Sequence, residues 1–330
     1  MKKRVEYLIT TGGLTVLYLV IMLLIVVGVL NGYYVGVIIA IGINIIVASS
    51  LNLATGFLGQ LALGHAGFMA IGAYGAAHLG KYLMAVLVMP DFIKGIIVLV
   101  SCLLFGGILA AIAGLLIGIP SLRLRGDYLG IVTLGFGEII RISIFNIEAI
   151  GGARTVLGIP KLVGITQIFI LVAIVLAALY LLVRSRHGRA IISIREDEIA
   201  AEAVGVPTTF YKVYGFAISA FFAGIAGGTL AFYQGLIDPK KFTFMFSVEI
   251  FIIVVLGGMG SFTGTVIAAI LLGVMNELLH AVDNWRMVIY AVVLIAMMIF
   301  RPKGLMGTYE FSLVKVVKDY IAKRKNQKTT

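Results

Sequence analysis

The chain has 330 residues, 61% of them hydrophobic and 12% charged, with a mean hydropathy of +1.11. A soluble domain is roughly 25% charged, so one water-solvated core is excluded and lipid is part of the solvent. The net charge of +11 suits a nucleic-acid binder or a membrane protein, but the basic residues fall between apolar runs and at both termini, which favours membrane topology.

The opening stretch MKKRVEYLIT has a basic flank followed by an apolar run to Leu30. The run exceeds a signal-peptide core and lacks an A-x-A-like cleavage site, so it reads as an uncleaved first span. A crossing takes about 20 residues. Further apolar runs follow at about 35–54, 61–79, 95–119, 128–147, 163–183, 213–235, 247–280 and 285–300. They are long and do not alternate, which predicts helices rather than a barrel. The single cysteine, Cys102, lies inside one run and is a packing residue.

The stretch Asn52–Ala77 is punctuated by Asn52, Thr55, Gln60 and His65, with glycines at 56, 59, 64, 67, 72 and 75. Two accounts fit it: close helix packing through small residues, or an interrupted helix lining a translocation path. GFLGQLALG lacks the full dinucleotide-binding glycine pattern, and no Walker A motif appears. If ATP drives transport, another chain must hydrolyse it. Glu138 is a further path candidate. Arg141 follows three residues later on the same helical face, so a structural ion pair is the competing account. Glu249 and Glu277 open and close segments and are expected near the interface. The four histidines are scattered, and no metal site is expected.

The stretch Arg184–Pro207 is densely polar. Ser193 and Glu196 have capping-box spacing, and Glu196, Asp197 and Glu198 suit a first helical turn. Ile199, Ala200, Ala203 and Val204 share a face. Gly205 and Pro207 end the helix. A short helix of this kind suits either docking on a partner or lying on the membrane surface.

Loop charge sets the expected orientation. MKKR, the SLRLRGD loop, residues 184–212 and the tail beyond Phe300 are basic and assigned to the cytoplasm. The linkers around NGYY, Met89–Lys94, Gly151–Lys161 and Asp238–Thr243 are assigned outside. Parity then requires the run 247–280 to be two segments. The natural break is LGGMGSFTG, with Gly257, Gly258, Gly260 and Gly264. The expected fold is an all-α polytopic transmembrane bundle of about ten hydrophobic segments with broken helices and both termini cytoplasmic. Segments 247–258 and 285–300 are short, leaving them tilted, buried or only partly spanning. A permease domain is expected over 1–307 and a basic tail over 308–330.

Four stretches carry a family resemblance: residues 52–74, 122–142, 188–228 and 248–269, the last followed by FRPKGLMG at 300–307. They resemble the LivM-like permease subunit of bacterial ABC importers for branched-chain amino acids. The resemblance implies a LivH-like second permease subunit, two cytoplasmic ATPase subunits that bind ATP and Mg, and an extracytoplasmic solute-binding protein. It implies no cofactor in this chain, no catalysis by it, and a cell-membrane location. It also implies that Arg195, Glu196, Glu198, Ala201, Glu202 and Gly205 lie in or beside the ATPase contact, with Ile199 and Ala203 filling the apolar part. Related permeases carry urea, short amides or aromatic acids, so the substrate stays open. An ion-coupled secondary carrier and a structural scaffold are alternatives from other classes.

Overall fold

The computed structural model describes residues 3–28, 31–88, 90–121, 127–279, 285–301, 303–307 and 309–310. The SLRLRGD arginines, His280 and residues 311–330 of the basic tail lie outside the described residues.

The chain is an all-α polytopic membrane bundle. In order, the helices are α1 (Lys3–Val26), α2 (Gly32–Asn52), α3 (His65–Val86), α4 (Asp91–Ser121), α5 (Asp127–Asn146), α6 (Ile165–Arg184), α7 (Arg186–Glu196), α8 (Glu198–Ala203), α9 (Thr208–Gln234), α10 (Phe244–Gly257), α11 (Phe262–Leu278) and α12 (Arg286–Phe300). Among the described residues, five segments are long and apolar enough to cross a membrane: Gly32–Phe57, Ile93–Ser121, Tyr128–Asn146, Ile165–Arg184 and Thr208–Gln234. α10 and α11 are shorter apolar helices, separated by residues 258–261, where the long run 247–280 breaks.

Helices α3, α4 and α9 pack against one another most closely. Small residues make this possible, since packing rather than hydrophobic expulsion joins helices in lipid. A Cβ on Gly72 would sit 2.2 Å from the Gly224 carbonyl oxygen, and one on Gly106 would sit 2.6 Å from the Gly72 oxygen. The second half of α2 is enclosed on every side, from Ile45 to Asn52, as expected for a helix apolar all round.

The linkers separate to two ends of the bundle. At one end Val156–Leu157 (β1) pairs antiparallel with Leu236–Ile237 (β2). His78 Nε2 bonds to the Ile150 oxygen at 3.0 Å, and Lys81 donates to the Leu157 oxygen. At the other end lies the elbow formed by α7 and α8, which turns at Asp197. Ser185 caps α7, accepting from Gly188 N, and Asp197 caps α8, accepting from Ala200 N at 3.0 Å. This corrects the Ser193–Glu196 capping box. Ser193 sits inside α7 and its hydroxyl donates to the Ala190 oxygen. Burial of Ile191 and Ile194 carries α7 through that point, so the second helix starts four residues later. It ends at Gly205, with φ at +86°.

Candidate functional site

The elbow end gathers four segments distant in sequence. After α2 the chain widens into a π-helical turn, Leu53–Phe57, a feature that concentrates at functional positions. It then runs irregularly to His65, with Gly59 at φ +74°. This is the break within Asn52–Ala77.

Asn52 closes the first joint. Its carboxamide nitrogen donates to the Ser261 oxygen at 2.9 Å and to Thr265 Oγ1 at 2.8 Å. Its oxygen accepts from Gly260 N at 2.9 Å. The side chain is fully buried, and both donors and an acceptor are used. The π turn and the α10–α11 break are therefore tied by one residue. The approach is close: a Cβ on Gly56 would lie 1.8 Å from Asn52 Oδ1 and 2.3 Å from Gly260 N.

Arg195 closes the second joint. From the end of α7 its guanidinium donates to the Gly56 oxygen at 2.9 Å, while it also pairs with Glu196. Cβ atoms placed on Gly59 and Gly260 would come within 2.8 and 2.7 Å of the Arg195 side chain. Gly260 has φ +91°, a conformation that glycine adopts without strain. The arginine thus passes between two glycines and reaches backbone.

The third joint comes from the far end of the chain. Leu305 N and Met306 N donate to the Leu256 and Gly257 oxygens at 2.9 and 3.2 Å, satisfying the end of α10. Gly258, at φ +113°, lies against Gly304 and Gly307. Ser261 caps α11 by accepting from Gly264 N, while Glu310 accepts from Phe262 N at 2.6 Å and Thr263 N at 3.3 Å. A carboxylate at a helix N-terminus is worth roughly 0.3–1 kcal/mol. Tyr309 and Glu310, assigned to the tail from sequence, therefore pack on α11. Glu310→Gln is expected to raise amide exchange at Phe262 and Thr263 about threefold, roughly 0.7 kcal/mol. Hydrogen exchange by mass spectrometry reads this, and unchanged rates would remove Glu310 from the joint.

The remaining site residues are placed as follows. Thr55 is buried in the π turn, and its hydroxyl has no hydrogen-bond partner among the described residues. His65 is buried; its Nε2 bonds Ser219 Oγ at 2.7 Å, and that hydroxyl donates on to the Ser50 oxygen. It links α3, α9 and α2 as a helix–helix contact. Gln60 is half-buried beside the break. Glu138 pairs with Arg141 at 2.7 Å and accepts from Phe244 N at 2.8 Å, so the ion pair also caps α10. No group of three or more potential metal-ligating His, Cys, Asp or Glu residues occurs among the described residues.

On the elbow, Ile199 and Val204 are 75% and 80% exposed, and Glu196, Glu202, Ala203 and Gly205 are exposed with them. Ala201 instead faces the bundle, 3% exposed. Glu198 is tied inward to Lys212 at 2.6 Å. Glu198 and Glu202 lie four residues apart on α8, and the start of α9 supplies the buried lysine that draws Glu198 inward.

Residues 33–300 match the family model described as "Branched-chain amino acid transport system / permease component". The chain belongs to this permease family. It is 42% identical over 241 residues to the high-affinity branched-chain amino acid transport system permease protein LivM of Salmonella typhimurium, covering 62% of this chain and 57% of that protein. The LivM protein of Escherichia coli matches equally, at 42% over 241 residues. The LivH permease protein of Salmonella typhimurium is 30% identical over 186 residues, covering 56% of this chain and 60% of that one. The aligned region of this permease thus spans a little over half the length of the LivM proteins it matches. No solved structure gives a significant match.

Proposed function

We propose that this chain is the membrane-spanning permease subunit of an ATP-driven importer for leucine, isoleucine and valine. The observation that carries the reading is the elbow. Its outer face presents Ile199, Glu202, Ala203 and Val204, while its inner face is wired through Arg195 to the α2 break and the α10–α11 break. Ile199 on α8 and Val204 at its C-cap give the elbow an exposed apolar pair that supports docking. The wiring gives a partner seated there mechanical access to two broken membrane segments. A secondary carrier has no need of such an arrangement.

In this reading two ATPase subunits dock below the permease pair, one of them on the elbow, bind ATP and Mg, and perform the hydrolysis; this chain is not an enzyme and holds no cofactor. A LivH-like permease pairs with it, as both LivM and LivH relatives carry the name of one transport system. A solute-binding protein delivers substrate on the opposite side. The basic loops support a cytoplasmic elbow and cytoplasmic termini, with the chain in the inner or plasma membrane. Asn52, Thr55, Gln60, His65 and Glu138 stay the candidates for the path, and Asn52 and His65 also join helices.

Reconstitution with the partner subunits tests the reading. Uptake of labelled leucine, isoleucine and valine should require ATP and the binding protein. Uptake driven instead by an ion gradient would sink it. The docking surface has its own test. Ala203 is exposed, so Ala203→Trp leaves the bundle intact and blocks close approach. Co-purified ATPase and substrate-stimulated hydrolysis are expected to fall about tenfold, equivalent to 1.4 kcal/mol. Glu202→Gln should cost little, about 0–1 kcal/mol. Wild-type docking in the Ala203→Trp protein would exclude the elbow as the coupling surface.

A further inference from the structure

Three polar side chains from three helices line one cavity between α2, α10 and α11: Asn44, Glu249 and Asn276. Each is out of place in its own sequence. Asn44 is the lone polar residue between Val35 and Ala48 of α2, and Glu249 sits in FMFSVEIFIIVVLG. Asn276 follows ten consecutive apolar or glycine positions in α11. Glu249, expected near the membrane interface, is the sixth residue of α10. An ionisable residue within a membrane helix is costly and typically faces protein or a cavity where it has work to do.

The helices are brought together on purpose-built contacts. A Cβ on Gly273, which also lines the cavity, would lie 2.4 Å from Ile41 Cγ1. Without that glycine α2 and α11 could not approach closely enough to bring Asn44 and Asn276 to the same space. Phe246, Ile250 and Leu272 supply apolar wall.

We propose that this cavity receives the ammonium group of the transported amino acid. The inference rests on the amino-acid permease reading and names the residues that would hold the substrate. An ammonium presents three donors, and one carboxylate and two carboxamide oxygens present acceptors to match. The cavity measures about 30 Å³, room for a water-sized or ammonium-sized group and not for a whole amino acid. The ligand's carboxylate and aliphatic side chain therefore stay at the mouth, beside the apolar wall.

The test uses the intact importer reconstituted with its partner subunits. Glu249→Gln keeps size and hydrogen bonding and removes the charge. The leucine KM is expected to rise about tenfold, as loss of one charge-assisted contact implies, in a complex that still assembles. Glu249→Asp should restore part of the affinity. An unchanged leucine KM in Glu249→Gln overturns the assignment. If that variant fails to insert, Asn44→Ala serves: the KM should rise about threefold, for a neutral hydrogen bond, and an unchanged KM overturns the proposal. Sodium-dependent uptake that loses its sodium dependence in Glu249→Gln would assign the site to a metal cation instead. Wild-type uptake of urea with none of the three amino acids would overturn the substrate reading itself, and this inference with it.

Discussion

Arg195→Met is expected to leave the chain inserted and to cut substrate-stimulated ATP hydrolysis by about tenfold or more. Methionine retains an unbranched apolar stem, so the space between Gly59 and Gly260 stays filled. What disappears is the guanidinium bond to the Gly56 carbonyl at 2.9 Å. A hydrogen bond from a charged donor is worth about 1.5–3 kcal/mol, which shifts the balance between joined and separated elbow by roughly ten- to a hundredfold. The pair with Glu196 contributes little, because Glu196 is 65% exposed and such pairs are screened. Arg195→Lys should be intermediate, keeping charge without the planar fork. The reconstituted complex gives the turnover, and hydrogen exchange over residues 53–60 gives the local opening. Normal turnover with normal exchange in Arg195→Met would mean the elbow and the α2 break are not linked through this residue.

The largest loss of stability is expected at Asn52. In Asn52→Leu the volume is nearly kept, but the Gly260 N–H loses its acceptor inside the bundle. An unsatisfied buried amide costs about 1–3 kcal/mol, and each lost bond about 1 more. A total of roughly 3 kcal/mol corresponds to a fall in the thermal midpoint of about 6–12 °C. Asn52→Asp should be worse, since it buries a carboxylate facing the Ser261 oxygen. Thr55 provides the contrast three residues away. Its hydroxyl has no hydrogen-bond partner among the described residues, so Thr55→Val should be nearly neutral, within about 0.5 kcal/mol. Thermal unfolding in detergent separates the two. Equal midpoints for Asn52→Leu and Thr55→Val would show that the three bonds of Asn52 contribute nothing.

Much of the bundle was legible from periodicity and punctuation. Apolar runs became helices, and glycines with positive φ mark both the stretch after Phe57 and the break after Gly257. Pairing across the bundle was not legible. Asn52 and Gly260 stood out separately, one as a path candidate and one as a hairpin glycine. Nothing within either local pattern says that they bond across 208 positions. The bond from Phe244 N to Glu138 and the bonds from α11 to Glu310 are hidden in the same way. Arg195 illustrates a different limit. Its residue type suits a partner contact, yet tertiary packing turns it toward the backbone of its own chain. Polar atoms within a bilayer are satisfied by whichever segment packs against them, and packing is not written in local spacing.

The ion pair between Glu198 and Lys212 has a consequence for motion. Lys212 is 6% exposed and lies one turn into α9, while Glu198 opens α8. The bond clamps the elbow to the foot of a 27-residue helix, which spans about 40 Å at 1.5 Å per residue. A helix that long behaves as a stiff rod. It leans on α3 and α4 along much of its length, and its far end passes through Gly235 into β2 and the ribbon with β1. A push at the foot therefore cannot be absorbed locally. It would appear as tilt or sliding of the whole rod against its two supports, with the stroke delivered to the ribbon at the other end of the bundle.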